Sequence, residues 1–304
     1  MKESKSKGVK TFNKRQRAFP IEVSKRSRRS MAGITRVISF TSGKGGVGKT
    51  HTVLNTAIAL AQMGRSVLVL DADLGLANIN IMLGVKPTYT IEDLLNGNKS
   101  LEEIIISGPE GISIIPGASG VESICDLGSD EKLLLMDAVE SLSNSYDYLL
   151  IDTRAGVSQD VMYFNSAAAE VICIINNEPT SLTDAYALIK ILSQSYGERK
   201  VSIIANDVSS DSEGIVAFKK LYRCVSRFLP VQLNYLGYIA SSDVVNEAIM
   251  SQTSLMLCFP SSEAARCIRA ISSQIDEDFI NSRVKGGMQF FFKQLLDAGM
   301  SSDR

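Results

Sequence analysis

The sequence predicts an α/β fold: a doubly wound, mostly parallel sheet with helices on both faces. Three observations lead to it. Seven short runs rich in Val, Ile and Leu recur along the 304 residues, separated by stretches with helical spacing. The runs are apolar throughout rather than alternating, as in strands covered on both faces. A glycine-rich loop, Gly43-Lys44-Gly45-Gly46-Val47-Gly48-Lys49-Thr50, joins the first run to the first helical pattern. Strand, loop and helix in that order form a phosphate-binding unit.

The elements follow in turn. Strands are expected at 37–41, 66–70, 112–115, 148–151, 171–175, 201–205 and 235–239. The helix after the loop carries its apolar face at Val53, Leu54, Ala57, Ile58, Leu60 and Ala61. Further helices are expected at 183–195, 213–228 and 261–278, the first capped by Ser181 or Thr183. Alternation of this kind builds crossovers onto both faces of one sheet. Ligands then lie outside the carboxyl ends of the strands, where the glycine loop sits.

Three regions result. Residues 1–33 form a basic tail, 34–280 the nucleotide-binding domain, and 281–304 an amphipathic helix and tail. Residues 1–36 hold 12 Lys and Arg against Glu3 and Glu22, a balance of +10, whereas the rest holds 20 against 31 acids, −11. So few apolar residues precede Met31 that a disordered extension is expected. It suits an anionic lipid, a nucleic acid or an acidic partner, or it is merely solvated. No secretory leader is visible, and no apolar run reaches the ~20 residues of a spanning helix. Cys125, Cys173, Cys224, Cys258 and Cys267 contain no C-x-x-C pair, so buried reduced thiols of a cytoplasmic protein are expected rather than metal ligands or disulfides. His51 is the only histidine, which removes His-based triads and His-rich metal sites.

The chemistry concentrates at the loop. Main-chain amides of Gly43, Gly45, Gly46, Val47, Gly48, Lys49, Thr50 and His51 are the expected phosphate cradle, at a helix N-terminus whose donors are unpaired and whose dipole favours anions. Glycine is required where backbone approaches phosphate closely or takes positive φ. Lys49 brings a point charge to the outer phosphates, and the Thr50 hydroxyl reaches Mg²⁺. After the second strand, Asp71 and Asp73 lie near the same site. Asp73 is placed to orient or deprotonate the attacking water, Asp71 to aid Mg²⁺ or shape the loop. Asp152 ends another apolar strand, the Walker B arrangement, and holds Mg²⁺ through water. Asp73 is a further metal candidate. Next to it, Thr153-Arg154-Ala155-Gly156 would offer a glycine amide to a γ-phosphate.

With both lysines present, Gly43–Thr50 closely resembles the deviant Walker A motif of the MinD/ParA family of dimerising ATPases. The resemblance spans about residues 35–300. It implies that Lys44 crosses a homodimer interface to the partner's ATP and shares catalysis with Lys49 and Asp73. It also places Asn206, after the strand 201–205, on the adenine. Arg154 departs from the small residue or proline of the family, and Ala240 replaces a proline of the second base-side loop. The stretches 71–78, 178–190 and 236–238 resemble the branch that sets flagellar number (FlhG, FleN, YlxH). That branch is similar in cycling between a cytoplasmic monomer and an ATP-bound dimer on the inner face of the cytoplasmic membrane. It stimulates the SRP-type GTPase FlhF through an Asp-Gln-Ala motif that residues 1–36 lack.

At the C-terminus, Met288, Phe291, Phe292, Leu295 and Leu296 fall on one helical face beside Arg283, Lys285 and Lys293. Such a helix lies in a lipid interface, or packs on its own domain. The expected function is an ATP-hydrolysing switch, slow and partner-controlled, that governs flagellar number through dimerisation and membrane attachment. A ParA-type DNA-partitioning ATPase is the alternative. The acidic body and amphipathic C-terminus fit DNA poorly. Cluster carriers with the same loop are disfavoured by the unpaired cysteines.

Overall fold

A computed structural model describes residues 35–73, 79–117, 138, 142 and 145–281. Among these residues, eight strands form one sheet in the order β3-β4-β2-β5-β1-β6-β7-β8. They are β1 (Arg36–Thr41), β2 (Val67–Ala72), β3 (Ile106–Ser107), β4 (Ser113–Ile115), β5 (Tyr148–Thr153), β6 (Glu170–Ile175), β7 (Lys200–Val208) and β8 (Gln232–Ala240). All neighbours pair in parallel except β3 with β4. The doubly wound expectation therefore holds, with one antiparallel edge.

All seven expected strands are present. β3 was not foreseen, because two residues are too few to show a period. The polar ends are longer than hydrophobicity marks them: Asp71, Asp152 and Asn206 are the fifth, fifth and seventh residues of their strands rather than residues just beyond.

Alternate residues face opposite layers. Ile38, Phe40, Val69, Leu150 and Ile174 pack under the helices Lys49–Gln62 and Glu263–Asn281, meeting Leu54, Ile58, Ile268 and Ile271. Val37, Leu70, Leu149 and Ile151 meet Phe164 of the helix Gln159–Ala167 on the other side. Beside them, Val171, Cys173, Ile203 and Ala205 are covered by Leu188, Leu192, Leu221 and Val225. These come from the helices Pro179–Tyr196 and Asp211–Phe228. The N-cap of Pro179–Tyr196 is Glu178, with Pro179 opening the first turn, so the helix starts before the expected Ser181 or Thr183 cap. Proline's fixed φ suits that position.

At the amino ends of the strands a charged clasp fastens the helix Glu263–Asn281. Arg36, only 2% exposed, grips both carboxylate oxygens of Glu170 and donates to the Ile275 carbonyl. Tyr148 Oη donates to Asp276 at 2.8 Å, and Arg65 meets the same carboxylate through Nε and Nη2, both at 2.8 Å. Each charge removed from water here is met by an opposite charge or a dipole. Cys173 and Cys267 are buried as expected, but Cys224 and Cys258 are exposed on their helices, contrary to a fully buried set, and Cys125 lies outside the described residues. No described helix is long and apolar enough to cross a membrane.

Candidate functional site

β1 sits where the order of strand addition reverses, parallel to β5 on one side and β6 on the other. The glycine loop leaves its carboxyl end into the helix Lys49–Gln62. Gly48 is that helix's N-cap at φ 82, and Gly46 has φ 78, both left-handed. A side chain is excluded at two of the glycines. A Cβ at Gly43 would stand 2.2 Å from the Asp184 carbonyl carbon, and one at Gly48 2.2 Å from Asn206 Nδ2. A Cβ at Gly45 or Gly46 would meet nothing within 4 Å, and both residues are exposed. The loop thus packs tightly at its two ends and presents its middle outward. Val47 is buried beneath it.

Lys49 turns inward. Its Nζ donates to Asp152 Oδ1 at 2.6 Å, with the lysine 9% and the aspartate 0% exposed. Burial raises the carboxyl's pKa, while Lys49 and the Thr50 hydroxyl act against that rise. Asp152 Oδ2 is buried and has no hydrogen-bond partner among the described residues. The sheet register places Asp71 and Phe40 on either side of Asp152.

Asp71 is almost fully buried. Its two carboxylate oxygens accept the amides of Asp73 and Ile79, each at 3.2 Å. Of the two roles left open for it, this geometry favours loop shaping. Asp73 accepts from Arg154 Nε at 3.2 Å. The Gly156 amide donates to the Ser42 carbonyl at 2.9 Å, and Thr153 Oγ1 to the Phe40 carbonyl at 3.0 Å, binding the 153–156 segment to β1 and the loop. Lys44, by contrast, lies at the rim, 36% exposed, paired with Glu178 and 3.1 Å from Thr180 Oγ1. This ties the loop's second lysine to the start of the 178–190 segment.

Asn206 Nδ2 donates to the Val47 carbonyl at 2.7 Å, so this side chain braces the loop. His51 points into the core, 5% exposed, and burial pushes its pKa down to about 4. Any contact it makes with phosphate therefore comes from its amide. Beneath it Asn55, fully buried, donates to the His51 carbonyl and accepts from Ser254 Oγ and Met256 N. That anchor was not foreseen. His51, Thr52 and Thr56 around it are polar and buried as well, so nothing in the helix pattern singles it out.

The structure thus gathers Lys49, Thr50, Asp152, Asp73, Asn206 and the loop glycines at one end of the sheet, with Lys44 on the rim. Met288, Phe291, Phe292, Leu295 and Leu296 lie outside the described residues, as do residues 74–78 and the basic tail. Among the described residues no three His, Cys, Asp or Glu side chains form a self-sufficient metal site.

A parallel sheet with a glycine loop at its switch point, an inward lysine on a buried aspartate and a second lysine on the rim defines a P-loop ATPase. An AAA domain family model matches residues 35–203. The chain is 40% identical to the antiactivator FleN of Pseudomonas aeruginosa over 86% of its own length and 93% of that protein. It is 34% identical to the flagellum site-determining protein YlxH of Helicobacter pylori, over 87% and 90%. Its fold superposes on the septum site-determining protein MinD of Pyrococcus horikoshii, complexed with Mg-ADP, with a TM-score of 0.65 and 27% identity, covering 83% of this chain and all of that one. The chain belongs to the MinD/ParA family of ATPases, as its loop implied.

Proposed function

We propose that this ATPase is a dimerisation switch that governs flagellar number and placement, through ATP-dependent membrane association and partner binding. The observation that carries the proposal is the division of labour between the two lysines. Lys49 is buried on Asp152, placed for its own chain's nucleotide. Lys44 stands at the surface, where a second copy can reach it. The likeness to FleN and YlxH over most of their lengths supports the flagellar role.

ATP and Mg²⁺ fit the residues present. The outward loop amides suit phosphate, and a buried carboxylate oxygen without a described partner, beside the Thr50 hydroxyl, suits a hard cation. Thr50 and Asp152 would hold Mg²⁺, with Asp73 close by. The metal would neutralise phosphate charge. Lys49 would slide from Asp152 Oδ1 to the phosphates, and Asp73 would orient the attacking water. Asn206 would reach adenine with its remaining amide atoms while bracing Val47. Residues 1–33, 34–280 and 281–304 would serve as tail, ATPase domain and membrane helix. Two weak interfacial helices joined in a dimer bind a bilayer far better than one, which couples attachment to ATP. The chain would then divide its time between cytoplasm and the inner membrane face, and the FlhF-type GTPase is a candidate partner.

Light scattering with ATP and Mg²⁺ tests the core of this reading. Lys44→Ala should bind ATP yet fail to dimerise, and Asp73→Ala should stay dimeric without turning over. Dimerisation of Lys44→Ala as strong as wild type would overturn the trans role. Removing residues 284–304 should abolish ATP-dependent pelleting with anionic liposomes. Unchanged pelleting rejects the helix, and salt-sensitive DNA retention lost with residues 1–33 favours partitioning instead.

A further inference from the structure

Arg154 carries the inference. It stands where the family resemblance leads one to expect a small residue, and its side chain is 49% exposed, so it adds nothing to the core. Its position is nonetheless set by the sheet. β2 and β5 pair Ala72 with Thr153, so Asp73 and Arg154 are the next residues of two adjacent strands. The main chain on either side is pinned, by Thr153 Oγ1 on the Phe40 carbonyl and by the Gly156 amide on the Ser42 carbonyl. From this base the guanidinium reaches Asp73, whose side chain is 13% exposed, and Nε donates to Oδ1 at 3.2 Å. Asp73's own main chain is held too, its amide on Asp71 Oδ1. The pair is a product of strand register rather than of two mobile surface chains meeting.

We propose that Arg154 is a built-in restraint on hydrolysis, a positioning residue that holds the Asp73 carboxylate. This rests on the reading of Asp73 as the group that orients the attacking water. A carboxylate directs a water through an oxygen lone pair aimed at it, and the guanidinium on Oδ1 fixes which way the whole group faces. The carboxylate turns away from Arg154 before Asp73 acts. Only a fraction of molecules is competent at any moment, and turnover falls by that fraction. The guanidinium pairs with Asp73, whereas Lys49 pairs with Asp152 and the loop amides face outward, so nucleotide affinity should change little.

The test uses the full chain with saturating ATP and Mg²⁺, following phosphate release. Arg154→Ala should raise kcat by about two- to fivefold, the bias an exposed ion pair supplies, with KM and the affinity for a non-hydrolysable ATP analogue unchanged. Arg154→Lys should restore part of the restraint, since an ammonium keeps the charge but not the planar fork. Arg154→Gln, which keeps the stem, repeats the test if the alanine form folds poorly. The gain must need its target: Asp73→Ala and the double variant should be equally inactive. A kcat unchanged or lowered in both Arg154→Ala and Arg154→Gln overturns the restraint, and a lowered one moves the guanidinium to transition-state charge. Undiminished turnover in Asp73→Ala would instead topple the reading of Asp73 itself.

Discussion

His51 offers a clean measurement, because the chain has no other histidine. It is the third residue of the helix Lys49–Gln62, its side chain 5% exposed and its Nε2 buried without a hydrogen-bond partner among the described residues. Desolvation pushes its pKa from 6.5 down to about 4. The helix dipole acts in the same direction, since a cation near the amino end is disfavoured. The unfolded chain therefore takes up the proton more readily than the folded one. Stability from this group is complete above pH 6.5 and is lost as pH falls from there towards 4. Between pH 7.5 and 4.5 the loss is on the order of 2–3 kcal/mol. In urea, with a slope of about 3 kcal/mol/M, it lowers the unfolding midpoint by roughly 1 M. Carboxylates titrate over the same range, so the informative quantity is the wild-type loss minus that of His51→Gln. A single imidazole resonance, followed by NMR, should show no titration in the folded protein between pH 5 and 8. A folded-state pKa at or above 6, or an equal pH dependence in the variant, would refute the argument.

Other consequences follow from the same contacts. Arg36→Ala leaves Glu170 and the Ile275 carbonyl without their cation and should cost about 2–3 kcal/mol in urea unfolding, less than for a fully buried pair because Glu170 is a third exposed. Gly43→Ala drives a methyl against the Asp184 main chain and should cost about 1–3 kcal/mol in thermal unfolding. A fluorescent ATP analogue should lose affinity in the same variant as the loop is displaced. Asn206→Ala should lower stability by about 1 kcal/mol by releasing the Val47 carbonyl. Because Gly48→Ala collides with that same amide, its penalty should shrink by at least ~0.5 kcal/mol in the Asn206→Ala background. Additive penalties would show that the two do not meet.

Much of this protein is decided by short stretches of chain acting alone. The apolar runs had to become buried strands, and the glycine loop between one of them and an amphipathic helix had to become a phosphate-type turn. An aspartate closing an apolar strand is carried to the end of the sheet where that turn lies. Those features depend on residues within a few positions of one another, so they are visible without a structure. Which charge meets which is another matter. Arg154 and Asp73, Lys44 and Glu178, and Asn206 and Val47 are separated by 81, 134 and 159 residues. Strand order and register alone bring them together. The same holds for His51, whose neighbourhood in the chain gives no sign that its ring faces the core. It holds also for Asp71, whose carboxylate takes the amides of Asp73 and Ile79. Chemical identity was local information; the state in which each group is held was settled only by packing distant segments against one another.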